Sequence, residues 1–63
     1  MSYYRLYFLD ARGSIEHFRE FEAHDDLFAL RQAAHWRGPA AMELWSGARK
    51  VRDWQPVARR FEA

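Results

Sequence analysis

The sequence predicts a small α+β domain of ββαββ order, a four-stranded antiparallel sheet with one helix packed on one face, over residues 1–56. Three observations predict it. Two pairs of β-forming runs are each joined by turn residues, and a capped, helix-periodic stretch lies between the pairs. The third is size: 63 residues hold one core, and a chain this short buries only roughly 60% of its unfolded surface. No cysteine is present to staple it, so neither a disulfide nor a thiolate metal site can help. Five Phe, three Tyr and three Trp compensate, since each ring buries about 150–250 Å².

Tyr3 to Leu9 is a run of β-formers interrupted only by Arg5, and reads as the first strand. Asp10-Ala11-Arg12-Gly13 follows. Aspartate suits the first position of a type I turn, and Gly13 can take the left-handed conformation that closes a three-residue hairpin loop. The second strand, about Ser14 to Ala23, sets Ile15, Phe18 and Phe21 among charged residues.

Asp25 and Asp26 open the helix, where a side-chain cap and negative charge both stabilise the first turn. Ala29, Leu30, Ala33, Ala34 and Arg37 recur at three and four residues, which makes one apolar stripe. Leu27 and Trp36 flank it, with Phe28 farther round. Gly38 and Pro39 are the expected stop, giving a helix of about twelve residues.

Ser46-Gly47 predicts the second hairpin, with Trp45 opposite Ala48 and Leu44 opposite Arg49. That register sets Glu43 against Lys50 and Met42 against Val51, so charges meet on one face and apolar side chains on the other. Met42, Leu44 and Val51 then face the helix; Glu43, Trp45, Lys50 and Trp54 face away. Pro56 ends the strand, and residues 57–63 are expected to be a frayed tail. Whether the two hairpins share one sheet or pair through another subunit is left open by the pattern.

The first strand breaks the rule that a half-covered sheet alternates apolar with polar. Tyr4, Leu6 and Phe8 lie on one face, but Tyr3, Tyr7 and Leu9 lie on the other. One short helix covers a single face, so Tyr3, Tyr7, Trp45 and Trp54 are the expected interface residues, on the face opposite the helix. The function this points to is a small non-catalytic protein-interaction module, a homodimer through its aromatic sheet face or a binder of another protein.

The alternative is a weak single-stranded nucleic-acid binder, with Tyr3, Arg5, Tyr7, Trp45 and Lys50 as a stacking platform. Ten basic against nine acidic residues, net charge +1, argue against it, as do the three strand glutamates Glu16, Glu20 and Glu22. Nine of the ten cations are arginine; abundant alanine and the lack of Asn and Thr fit a GC-rich coding bias. No segment reaches the roughly 20 apolar residues of a membrane span, and the N-terminus lacks signal-peptide character. The expected location is the cytoplasm.

Chemistry-bearing patterns are sparse. His17, His24 and His35 have no helical zinc spacing, so no metal or cofactor is expected. Ser14 and Ser46 sit at turns, and no GxSxG elbow or glycine-rich phosphate loop occurs. Alternating strand glutamates usually form a solvated face or guard a sheet edge. No catalytic residue is assigned, and no enzyme activity is expected.

Three stretches, Tyr4-Arg5-Leu6-Tyr7-Phe8-Leu9-Asp10 with Gly13, Glu20-Phe21-Glu22-Ala23-His24-Asp25-Asp26, and Met42-Glu43-Leu44-Trp45-Ser46-Gly47-Ala48-Arg49, resemble a group of short uncharacterised alphaproteobacterial proteins. The resemblance spans about Tyr3 to Trp54. It implies a small stand-alone domain of unknown function and carries over no functional residue.

Overall fold

The computed structural model describes residues 1–57. Its elements are β1 (Ser2–Leu9), β2 (Ile15–Ala23), α1 (Asp26–His35), β3 (Met42–Ser46) and β4 (Arg49–Trp54). The strands form one antiparallel sheet in the order β2-β1-β3-β4, so the fold is the predicted ββαββ. Both hairpins therefore share one sheet, joined through β1 and β3. The two central strands are the ones with buried alternate positions, while the edge strands β2 and β4 carry most of the charge.

The first hairpin forms as its residues require. Gly13 has φ +87°, its N–H donates to the Asp10 carbonyl at 2.9 Å, and the Asp10 carboxylate accepts from the N–H groups of Arg12 and Ser14 at 2.9 Å. A side chain at Gly13 would be strained at that φ. Phe8 pairs with His17 and Leu9 with Ile15, so a bulge takes up one residue beside the turn.

The Asp25 side chain caps α1 by accepting from the Phe28 N–H at 3.1 Å. The other end differs from expectation. The helix stops at His35, with Trp36 as its C-cap, and the N–H groups of Trp36 and Arg37 bond the carbonyls of Ala33 and Ala34. Gly38 is not left-handed, so no glycine cap is used. Arg37 does the fixing instead: its guanidinium donates to the carbonyls of Gly38 (2.8 Å), Ala40 and Gln55, tying the loop after the helix to the end of β4. A charged donor shared by three carbonyls is a strong arrangement for a loop with no regular partners.

The second hairpin corrects the predicted register. Ser46 pairs with Arg49 and Trp45 with Lys50, so Gly47-Ala48 is the two-residue loop. Gly47 has φ +60° and Ala48 does not have positive φ, the sign pattern of a type II′ turn with glycine first. A bulge follows, because Leu44 pairs with Arg52, and Val51 is the extra residue. The bulge reverses the parity of everything beyond it. Trp54 pairs with Met42 and packs against the core on the helix side, not on the opposite face as predicted.

The core is Tyr4, Leu6, Phe8, Ala23, Ala29, Ala33, Met42 and Leu44, with Phe21, Leu30, Trp36, Val51 and Trp54 packed around it. Ala29 and Ala33 are fully buried, and their small side chains let the helix lie close to the strands. Ala34, predicted on the same stripe, is exposed. Phe21 bridges helix and sheet, stacking on Tyr4 at 5.8 Å and meeting Trp36 edge-on at 5.3 Å. Val57, assigned by sequence to the tail, donates its N–H to Pro39 at 2.8 Å. The rest of that expected tail, 58–63, lies outside the described residues. No helix among the described residues is long and apolar enough to cross a membrane.

Candidate functional site: the outer face of the sheet

Strand alternation divides the side chains between the face under α1 and the opposite, outer face. The register places two cross-strand rows at the centre of the outer face. One runs Glu20, Arg5, Trp45, Lys50; the next runs Phe18, Tyr7, Glu43, Asp53. Tyr3 stands beyond the first row, opposite Glu22.

Tyr3 is 63% exposed and Phe18 48%, while Tyr7 and Trp45 are half-buried. Of the four residues assigned to this face by sequence, the structure brings Tyr3, Tyr7 and Trp45 together and leaves Trp54 behind. Phe18 takes its place, 6.0 Å from Tyr7. Phe18 reaches Tyr7 only through the bulge at Glu16, since the three-residue loop after Asp10 would by itself set His17 there. The turn over from Trp54 likewise depends on a bulge, at Val51, that the residues do not mark.

The polar groups of this face interlock with its rings. Arg5 pairs with Glu20, lies over the Phe18 ring at 4.7 Å and comes within 3.5 Å of the Tyr7 hydroxyl. The Trp45 Nε1–H donates to Glu43 at 3.0 Å; Lys50 sits 3.3 Å from Asp53, 4.0 Å from Glu43 and 5.9 Å from the Trp45 ring. Tyr3, Arg5, Tyr7, Glu20, Trp45 and Gly47 line a shallow depression of about 300 Å³. Its lining thus combines the aromatic residues Tyr3, Tyr7 and Trp45 with the Arg5–Glu20 ion pair.

Charge is segregated by face. The outer face carries Glu20, Glu22, Glu43 and Asp53 against Arg5 and Lys50, whereas the helix-side strand positions carry His17, Arg19, Arg49 and Arg52 without a carboxylate. Those arginines are engaged internally. Arg19 stacks on Trp36 at 4.7 Å, Arg52 on Trp54 at 5.5 Å, and Arg49 forks onto Asp26 at 3.0 and 3.1 Å. Asp26 also accepts from the buried Tyr4 hydroxyl at 2.7 Å. The Arg49 and Tyr4 donors hold the Asp26 carboxyl below its ordinary value, and bonding to Asp26 raises the Tyr4 phenol.

The histidines are dispersed: His17 stacks on Phe8 at 4.4 Å, His24 meets Phe28 edge-on at 5.8 Å, and His35 ends the helix. Among the described residues, no group of three or more His, Asp or Glu side chains is placed to hold a metal.

The free edge of β2 is guarded against its own copy. Two-fold pairing centred on Arg19 opposes two arginines, and centring on Glu20 opposes two glutamates. Centring on Phe18 sets Glu20 against Glu16. Every central register meets like charge, as expected of an edge protected from sheet extension.

Comparison with protein-family models, with curated proteins and with solved structures finds no match for this chain.

Proposed function

We propose that this domain is a non-catalytic interaction module that docks another polypeptide on the outer face of its sheet. One observation carries the reading: Tyr3, Tyr7, Phe18 and Trp45 share a face that α1 does not cover, and the outermost ring, Tyr3, is 63% exposed. Tyrosine and tryptophan give large contact area with few rotatable bonds, which is why they concentrate at interface centres. Self-association of two such faces is one form of this reading, although each copy then brings a surplus of carboxylates to the contact. The nucleic-acid reading loses support here, because the proposed stacking platform is the acidic side of the sheet.

A photo-crosslinking amino acid at position 3, compared with one at Gln32 on the exposed side of the helix, tests the docking surface in cells that make the protein. Adducts from position 3 and none from position 32 are expected. Equal labelling at both contradicts a dedicated face, and an adduct of twice the 7.6 kDa chain mass identifies a second copy.

A further inference from the structure

We propose that the partner of the outer face is a basic segment of another protein, seated by arginine side chains, rather than a second copy of this chain. This rests on the docking reading and adds the chemistry of the occupant. Three features of the face select a guanidinium. Its exposed rings offer π faces, and a planar cation stacks on them where an ammonium does so less well. The face's own guanidinium already shows that geometry, Arg5 over Phe18 at 4.7 Å. Its charge balance is negative, four carboxylates (Glu20, Glu22, Glu43, Asp53) against Arg5 and Lys50. Glu22 stands opposite Tyr3, is exposed, and makes no ion pair among the described residues. Asp53 shares its single cation, Lys50, with Glu43.

A second copy fits less well. Two outer faces set together double the carboxylate surplus, because Arg5 and Lys50 are already paired within each chain. An anionic partner such as single-stranded nucleic acid meets the wrong sign on this side. On the other side the cations are held by Trp36, Trp54 and Asp26.

The experiment is an amide-shift titration of the folded protein with a synthetic peptide of alternating glycine and arginine. Its lysine and glutamate counterparts and an oligothymidine serve as comparison probes, and a dilution series without peptide reports self-association. Expected are shifts confined to Tyr3, Arg5, Tyr7, Glu22 and the Trp45 indole, weaker with the lysine peptide and absent with glutamate. The affinity should fall about tenfold from low to physiological salt. Glu22→Lys, at an exposed position, should bind the arginine peptide about threefold more weakly with unchanged folding. Equal shifts with the glutamate peptide, or shifts by oligothymidine on these residues, overturn the basic partner while leaving the face a docking surface. Outer-face shifts that grow with protein concentration alone assign it to a second copy. If neither probes nor concentration move these residues, the docking reading falls as well.

Discussion

The two faces of the sheet are built from the same alternating strands and buried to opposite extents. Under α1, Tyr4, Leu6 and Phe8 are closed off at 2%, 0% and 8% exposure, and every nearby cation has an internal partner. One residue along in each case, Tyr3, Tyr7 and Leu9 look outward, and their cross-strand neighbours are Glu22, Phe18 and Ile15. The difference shows what a ten-residue helix can do: it completes one face and leaves the other to be stabilised by ion pairs over rings, which contribute little when exposed. Folding is concentrated on one side, and the proposed docking surface is the other.

That contrast can be broken by substitution, most forcefully on the helix side. Leu44 is fully buried between Leu6 and Arg52, so Leu44→Ala should cost about 2–5 kcal/mol, read from the urea midpoint. For a domain this small such a loss approaches unfolding. A midpoint within experimental error of wild type would show that the sheet's centre is not the core.

Arg37→Ala comes next. Losing a charged donor shared by the carbonyls of Gly38, Ala40 and Gln55 should cost about 2–3 kcal/mol. Arg37→Lys should recover only part, since one ammonium cannot span the fork. Full rescue by lysine would mean that charge, not geometry, holds this loop.

The Tyr4–Asp26–Arg49 link gives a pH signature. Its folded-state carboxyl lies below the ordinary value of 3.8. The stability it adds is therefore present above that value and is lost as pH falls through the depressed one. Acid unfolding curves for wild type should show this limb, and Asp26→Asn, which cannot ionise, should flatten it. An unchanged acid limb in the variant would remove Asp26 as its source.

The smallest expected effect is on the outer face. Phe18→Ala should cost about 0.5 kcal/mol or less, read from the urea midpoint, because Phe18 is half exposed and meets Tyr7 and Arg5 on the open face. It should nevertheless weaken the proposed docking, read as a smaller amide shift with the arginine peptide.

Much of this division was readable from residues. Asp10 and Gly13 dictated the first turn, Asp25 the helix start, and the parity of Tyr3 and Tyr4 the two faces of β1. What escaped were features that local spacing does not encode. The bulge at Val51 turns Trp54 inward, and nothing in Arg49–Trp54 marks it. The loop at Gly47-Ala48 rather than Ser46-Gly47 follows from where glycine must sit in a II′ turn, a choice the dipeptide leaves open. Arg37 read as part of an apolar stripe because its role depends on Gln55, eighteen residues away. The acidic excess of the outer face became visible only when the strands were set in register, since the whole-chain charge is +1.

Tyr3 and Tyr4 offer the most direct test, being neighbours in sequence on opposite faces, 63% and 2% exposed. Chemical denaturation of Tyr3→Lys and Tyr4→Lys should find the first as stable as wild type and the second unfolded or nearly so. If Tyr3→Lys loses as much as Tyr4→Lys, the outer rings belong to the fold itself, and no free face remains for a partner.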